Sequence, residues 1–469
     1  MRYYNTLSYH LTVVKTLLVI LISGWNVVDY PSDKKTPVFK KLFSNVYYGW
    51  WINLLTGITS GLASGYNQSF SVFFKPIAAE LGLSRAATSV ASSMSRLEGG
   101  IQAPITGYLS DRYGAKWVLV SGALIMGIGQ LLMTYTVHSP WGYYITWGII
   151  IATGHNLGFT LAVDKVLTNW FIRKRGLSFG VRFAVMGIMQ AALLPLISWL
   201  TITYGWRTTS LVWAIIMFAS IPFTIAFVKP HRPEHYGLMP DGVRLESESG
   251  DNQGMVEKGK EYAAGLEEIE FTLKQAMRTS SYWLLIVVTI AFSFTGGAFN
   301  IHIIPFLTDR GISETAAAGM MSMMIFFTIP SRFLFGVFAD KVKKEHQKYL
   351  MALGLLLMTL GISVFLLNQT MATIWVFLVL WGIGTGANTP VNITIRGRYF
   401  GRKAYGSIQG TTNMFVSPVA LIAPICAGWI YDVTGNYTKA FIIFASITAA
   451  GAIISCLIRG PKAPREVQT

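Results

Sequence analysis

Arg332 is the residue whose type and position point most directly to chemistry. It lies eight residues before Asp340 inside an apolar run, which on an α-helix is about 12 Å from the end of that run. An arginine in hydrocarbon costs about 2.5–3.5 kcal/mol and faces the inside of a helix bundle. Its guanidinium offers a bidentate fork to a carboxylate. The position predicts a carboxylate-binding site, with a structural arginine bonded to helix carbonyls as the alternative.

Glu98 is a carboxylate near the middle of another apolar run. A carboxyl group removed from water is more easily protonated, so Glu98 is the candidate for carrying a coupling proton. An ion pair with Arg96, Arg182 or His155 is the structural alternative, and the sequence does not separate the two interpretations.

Arg182 and Asp164 are predicted to neutralise each other, because they fall at similar depth on consecutive antiparallel helices. Arg182 as a second carboxylate anchor is the alternative, and it would favour a dicarboxylate or a larger anion. Further polar contacts to a substrate are predicted from Asn67, Gln68 and His302. No residue pattern predicts a metal site or a cofactor.

An internal repeat organises the chain around these residues. A Gly-x-x-x-Asp-Arg-x-Gly turn at Gly107, Asp111, Arg112 and Gly114 returns in part at Gly336, Asp340 and Lys341. The offset is 336 − 107 = 229 residues, so one half of the chain repeats the other. Because the repeated units are mostly hydrophobic, the pattern indicates a two-part membrane transporter with a central path.

The composition indicates a membrane protein independently of any motif. The chain has 52% hydrophobic and 13% charged residues and a mean hydropathy of +0.47, which does not suit a water-soluble globule of 469 residues. A crossing helix needs roughly 20 apolar residues, and about twelve such windows occur. We predict spans at 48–74, 86–109, 116–137, 142–166, 176–203, 207–228, 282–308, 314–338, 347–367, 371–395, 404–431 and 437–458.

The basic residues set an expected orientation. The formal net charge of +16 comes from Lys and Arg in alternate short loops rather than on one continuous face, which argues against nucleic acid as a partner. By the positive-inside rule these loops lie in the cytoplasm, together with both ends of the twelve-helix body. We expect an integral protein of the plasma membrane.

The predicted organisation has five parts. They are an N-terminal extension (1–44), a first six-helix bundle (45–228), a cytoplasmic linker (229–281), a second six-helix bundle (282–460) and a cytoplasmic tail (461–469). The apolar stretch Leu11–Val28 could be a signal-like segment, an interfacial helix, a thirteenth span or an artefact of a misplaced start, and a peripheral extension is favoured. The acidic stretch Glu246–Glu270 favours disorder, with a short surface helix spaced by Leu266, Ile269 and Leu273.

The turn from Gly107 to Lys116 resembles the loop motif of the major facilitator superfamily, which joins the second and third helices. The partial copy after the eighth helix fits the same family. The resemblance implies a cytoplasmic gate. In such a gate Asp111 would accept hydrogen bonds from a helix terminus and a basic neighbour, while Gly107 would let two helices approach closely.

Within that superfamily, residues 45–460 are similar to the monocarboxylate porter and oxalate:formate antiporter group. The stretches that carry the similarity are Tyr48-Gly49-Trp50-Trp51, Val72-Phe73-Phe74-Lys75-Pro76, Leu83-Ser84-Arg85-Ala86-Ala87-Thr88, Trp170-Phe171 with Arg173-Lys174-Arg175-Gly176, and Gly428-Trp429-Ile430-Tyr431-Asp432. The resemblance implies that Arg332 holds the substrate carboxylate. Animal-type members add an aspartate one turn earlier and a lysine near the end of the first helix, where this chain has Thr328 and Gln68.

These observations predict an all-α membrane protein of twelve transmembrane helices in two pseudo-symmetric six-helix bundles, working by alternating access. The predicted function is secondary transport of a small organic anion, a monocarboxylate, by proton symport or anion exchange. An efflux carrier for hydrophobic or drug-like compounds and a transport-dead membrane sensor are the alternatives. The chain lacks a nucleotide-binding loop, paired metal ligands and a Ser/His/Asp arrangement, so no enzyme is predicted. The lipid bilayer is its solvent, and a monomer is expected.

Overall fold

The computed structural model describes residues 46–243, 252–266, 268–368 and 370–463, and this part of the chain contains twelve long helices. The N-terminal extension and most of the predicted tail lie outside the described residues. In the first half the helices are Tyr48–Gln68 continued by Phe70–Leu81, Arg85–Leu109, Ala115–Tyr135, the fourth helix from Pro140 to Trp170, and Arg175–Phe227, which holds the fifth and sixth. In the second half they are Ser280–Thr308, Glu314–Lys341, Gln347–Leu367, Met371–Phe400, Tyr405–Thr434 and Thr438–Leu457.

Eight helical stretches among the described residues are long and apolar enough to cross a membrane. Two of them, Ala87–Tyr135 and Arg175–Phe227, each contain two of the twelve helices. The second stretch turns at Gly205, whose φ of 84° is left-handed and favours glycine. The eight stretches therefore account for ten helices, and the first and fourth are the remaining two. The predicted all-α membrane architecture is confirmed.

The first and fourth helices differ most from the predicted spans. The first helix breaks at Ser69 and then continues to Leu81, seven residues beyond the predicted end, because Lys75 and Pro76 interrupt the hydrophobic window without ending the helix. The fourth helix runs from Pro140 to Trp170 and contains two π-helical stretches, Thr146–Ile151 and Leu157–Leu161. Such π-helical insertions are frequent at functional sites.

Buried apolar side chains form two clusters, one within residues 47–228 and the other within 271–458. Each cluster belongs to one half of the chain, as expected for two bundles. Glycines bring neighbouring helices together inside each bundle. A Cβ added at Gly122 of the third helix would lie within 3.0 Å of Gly158 in the fourth.

The linker contains more structure than its acidic composition predicts. Residues 252–265 form a helix, where we expected disorder, while the short helix expected around Leu266 begins only at Leu273. The linker helix is fixed by tertiary contacts. Tyr262 donates a hydrogen bond of 3.1 Å to Asp241, which in turn accepts from the backbone N–H groups that precede the fifth helix. The linker helix is thus held by contacts with distant residues, although its sequence lacks the hydrophobic periodicity that would predict a helix.

Candidate functional site

Arg332 lies on the eighth helix where that helix crosses the fifth. A Cβ added at Gly180 of the fifth helix would be 3.2 Å from the Arg332 carbonyl oxygen, so the absence of a side chain there allows the close approach. The Arg332 guanidinium lies 5.6 Å from the centre of the Phe183 ring, a cation–π distance. Its Nε is fully buried without a hydrogen-bond partner, and no carboxylate among the described residues forms an ion pair with it.

Arg182 lies beside this position and is paired. Its guanidinium binds Asp164, as the sequence predicts, and also donates to the carbonyl oxygen of Phe159 at 3.1 Å. It lies 5.2 Å from the Phe183 ring centre, so one phenyl ring contacts both Arg182 and Arg332. Two guanidinium groups therefore share this region with one carboxylate, and the local charge is positive.

Glu98 does not pair with Arg96, Arg182 or His155 among the described residues. Thr153 and Asn156 of the fourth helix donate to its two carboxylate oxygens at 3.0 Å and 2.8 Å. Because the Asn156 amide donates to Glu98, its oxygen can accept from His155 Nδ1, 3.3 Å away.

His155 Nε2 lies 3.1 Å from the Ser64 hydroxyl of the first helix. A polar chain of hydrogen bonds, consisting of Ser64, His155, Asn156 and Glu98, therefore links the first, fourth and second helices.

Asn67 and Gln68 lie at a different depth from Arg332. The first and fifth helices run parallel, with Gly57 against Val185, so residue 55 is level with Phe183. Twelve residues separate that level from Asn67, which is about 18 Å along the helix. The two amides therefore lie about 18 Å from the level of Phe183, toward the end opposite the linker, and do not contact the Arg332 guanidinium.

His302 is engaged within the second half. Its Nε2 donates to the Pro424 carbonyl oxygen at 2.9 Å, so Nδ1 can accept from the Tyr437 hydroxyl at 3.1 Å. Both ring nitrogens are thus occupied by the eleventh helix and by the residue that precedes the twelfth. The contacts of His302 connect helices and do not bring it to Arg332.

Arg396 is a buried charge that the sequence interpretation misplaced. The predicted tenth span ends at residue 395 and leaves Arg396 in the following loop, but Arg396 lies inside the tenth helix and is 2% exposed. Its guanidinium donates to Gln409 at 2.9 Å and to the Thr289 hydroxyl, and its Nε has no partner among the described residues. The sequence signal is its place directly after an apolar run, because the helix continues beyond that run to Phe400.

Asp111 joins the two halves at the end of the bundle that carries the linker, called here the linker end. Its carboxylate accepts from the backbone N–H groups of Gly406 and Ser407 at 3.1 Å and 2.7 Å, at the start of the eleventh helix. Lys165 contacts the same carboxylate at 2.7 Å. A helix N-terminus favours negative charge. A Cβ on Gly107 would collide with the Gly406 backbone, so glycine is required for this contact, called here the first latch.

Asp340 makes the related contact 229 residues later. Its carboxylate accepts from the backbone N–H groups of Gly176 and Leu177 at 2.7 Å and 2.6 Å, at the start of the fifth helix. Gly336 packs against Gly176 as Gly107 packs against Gly406. This second latch and the first are related by the internal repeat, and each crosses from one half to the other.

The other residues of the repeated turn lie outside the two latches. Arg112 is exposed and stacks on the Tyr108 and Tyr113 rings, and Lys341 is exposed. Gly114 reverses the chain with a φ of 87°.

Toward the opposite end of the bundle a cleft of about 250 Å³ is lined by residues of the second helix and by Leu421 of the eleventh. The residues of the second helix are Ser89, Val90, Ser93, Met94 and Leu97.

Two linker carboxylates complete the closure of the linker end. Glu268 binds Arg175 of the first half at 2.8 Å and Arg402 of the second half at 2.9 Å, and Glu234 binds Arg402 at 2.9 Å. All four side chains are 0–4% exposed. Burial alone raises the pKa of Glu268, but the two arginines outweigh burial and hold that pKa below its ordinary value. We call these four residues the linker clamp.

The amino-acid sequence is similar to those of known membrane transporters. A sequence profile of the Major Facilitator Superfamily matches residues 54–424, and a second match covers residues 350–469. Monocarboxylate transporter 13 of Rattus norvegicus is 24% identical over 405 residues, which cover 86% of this chain and 87% of that protein. Monocarboxylate transporter 2 of Homo sapiens is 23% identical over 410 residues, covering 87% and 84%.

A solved structure shares the fold. The crystal structure of the human organic anion transporter MFSD10 (TETRAN) superposes with a TM-score of 0.64 and 13% sequence identity. The match covers 87% of this chain and 99% of that one. At this identity the likeness shows the fold alone.

Proposed function

The chain belongs to the Major Facilitator Superfamily, and from this membership we propose that it transports a small organic anion, a monocarboxylate, across the membrane by alternating access. The observation that carries the proposal is Arg332, a guanidinium inside the bundle without a carboxylate partner among the described residues. A buried charge without a partner is costly, and an anionic substrate would supply one. Two relatives that share most of the chain are named monocarboxylate transporters.

The local charge supports an anion rather than a cation. Arg332 and Arg182 flank Phe183, while Asp164 supplies one negative charge and already binds Arg182. A monocarboxylate bound to Arg332 would bring this group to neutrality. An amphiphilic cation would meet a net positive charge, which disfavours efflux of cationic compounds as the function.

The linker end is proposed to face the cytoplasm, because the Lys- and Arg-rich loops lie there and the positive-inside rule assigns such loops to that side. The latches and the linker clamp join the two halves at this end, while a cleft lined by Ser93 and Leu421 lies toward the other end. In this arrangement the substrate would reach Arg332 from outside, past Asn67 and Gln68. Release to the cytoplasm would require both latches to break.

Glu98 is the proposed site of proton coupling, with anion exchange as the alternative mode. The Thr328 hydroxyl donates to the Met324 carbonyl oxygen, and threonine cannot carry a proton beside Arg332. Glu98 is bound by neutral donors and connects through the polar chain to Ser64. A carboxyl group held by neutral donors can change protonation without breaking an ion pair.

Uptake into proteoliposomes tests the proposal. Radiolabelled lactate, pyruvate, formate and oxalate are supplied with and without an inward proton gradient, to wild type and to Arg332→Ala. Loss of two charge-assisted hydrogen bonds of about 1.5 kcal/mol each predicts a fall in uptake of about 100-fold. Arg278→Ala, at an exposed arginine of the linker end, is the matched control and should transport normally.

The remaining outcomes separate the alternatives. Wild-type rates in a correctly inserted Arg332→Ala protein would overturn the site. Export of neutral hydrophobic compounds without uptake of any acid would support the efflux carrier. Binding of an acid without movement would support the membrane sensor.

A further inference from the structure

Arg396 lies in a second polar region of the interior, built only from the second half. Its guanidinium donates to Gln409 of the eleventh helix and Thr289 of the seventh, and the same threonine hydroxyl accepts from Asn392 at 3.1 Å. All of these partners are neutral. The Nε donor of Arg396 is buried and has no partner in the part of the chain that the structure describes. This arrangement holds the arginine in place, but none of the described carboxylates forms an ion pair with it.

The charge balance around Arg396 is incomplete. Among the described carboxylates, Asp164 of the first half interacts electrostatically with Arg396. Asp164 is already bound to Arg182. Two buried guanidinium groups thus share one carboxylate. Because a net buried charge is expensive in a bilayer, one more carboxylate at this position would be stabilised.

The depth of Arg396 places it on the linker-end side of Arg332, at the level of the second latch. The eighth and tenth helices run parallel, with Gly386 against Ser331, so residue 387 is level with Arg332. Nine residues separate that level from Arg396, which is roughly 14 Å along the helix toward the linker end. An anion that leaves Arg332 for the linker end therefore approaches Arg396.

We propose that Arg396, Gln409 and Thr289 form a second carboxylate-binding site, which receives the substrate as it passes from Arg332 to the linker end once the latches have opened. The inference rests on the proposed function. Gln409 follows Ser407 by two residues, and Ser407 is held by Asp111 in the first latch. Release of this latch would therefore free the helix that forms one wall of the second site.

The side from which the substrate is presented tests the inference. Wild type, Arg396→Gln and Gln409→Ala are each prepared in sealed right-side-out and inside-out membrane vesicles. The substrate is the acid that wild type transports, chosen from lactate, pyruvate, formate and oxalate. For both variants we expect the KM for substrate presented at the linker end to rise at least tenfold. The KM at the other end should stay within twofold of wild type. Arg396→Lys, which keeps the charge, should recover part of the loss.

The outcomes distinguish the inference from the function on which it rests. An unchanged KM at the linker end, or an equal rise at both ends, would assign Arg396 a structural role and overturn the second site. If Arg396→Gln fails to insert, the one-sided rise must appear in Gln409→Ala, and its absence there overturns the inference. If wild-type vesicles move none of the four acids, the proposed function and the inference fall together.

Discussion

Replacing Glu268 by glutamine removes the negative charge that the linker places between the two halves. Its carboxylate contacts Arg175 at 2.8 Å and Arg402 at 2.9 Å, and its side chain is 3% exposed. Removing one partner of a buried ion pair costs about 3–5 kcal/mol. In an open state the two arginines would separate and become hydrated, so the cost falls mainly on the closed state. At about 3 kcal/mol the ratio of closed to open molecules falls about 100-fold.

Pulsed electron paramagnetic resonance measures this ratio. Cys426 and Cys456 are first replaced by serine, and nitroxide labels are attached at Tyr113 of the first half and Lys403 of the second, both exposed at the linker end. Wild type should give a short distance with a narrow distribution. Glu268→Gln should transfer most of that population to longer distances.

Glu261→Gln is the matched control, since Glu261 is an exposed glutamate of the same linker. It should leave the distance distribution unchanged. If Glu268→Gln also gives the wild-type distribution, the linker clamp does not contribute to closure and the energetic argument is wrong.

The same labels test the sign of the pH dependence. The pKa of Glu268 is lowered, because Arg175 and Arg402 outweigh the effect of burial. Its contribution to closure is therefore complete above the ordinary carboxyl pKa of about 4.3 and is lost as the pH falls through the lowered value. We expect no change between pH 8 and 5 and opening below about pH 4. Opening near pH 6 would contradict a lowered pKa.

Two further changes test the coupling site and the first latch. Glu98→Gln should keep the uptake that an anion gradient drives, but a proton gradient should no longer stimulate that uptake, because the amide cannot take up and release a proton. Stimulation equal to wild type would assign proton coupling to another residue. Gly107→Ala should shift the label distances toward the open state, since the added Cβ would lie within 3.0 Å of the Gly406 backbone. Gly254→Ala is the control, because a Cβ at Gly254 would have nothing within 4 Å. An unchanged distance distribution in Gly107→Ala would show that the helices can separate slightly without opening.

Local signals account for most of the fold. The eighth helix was predicted at 314–338 and lies at Glu314–Lys341, and the ninth agrees at 347–367. An apolar run long enough to cross the bilayer forms a helix irrespective of its neighbours, because every backbone polar group must be satisfied within it. The first helix was predicted too short because Pro76 and Lys75 interrupt the hydrophobic window, although the helix continues through them.

The candidate site was predictable only in part. The Arg182–Asp164 pair follows from two adjacent helices at equal depth, and that prediction is confirmed. The surroundings of Arg332, Asn67 and His302 depend on which helix faces which, and at what offset along their axes. A single sequence specifies neither the neighbouring helix nor that offset.

The sequence by itself determined the apolar spans, the repeat at 229 residues and the basic character of one end, because each is a property of a local stretch or of a spacing along the chain. Only the tertiary structure decided which charges are buried. Arg175 and Arg402 fall in loops between the predicted spans, yet the linker covers them with Glu268, which is 93 and 134 residues away in the chain. Arg396 has no carboxylate partner of its own among the residues that the structure describes, for the same reason. The neighbours of a charged side chain depend on the packing of distant helices, and they decide whether its charge is neutralised within the protein or remains available to a ligand.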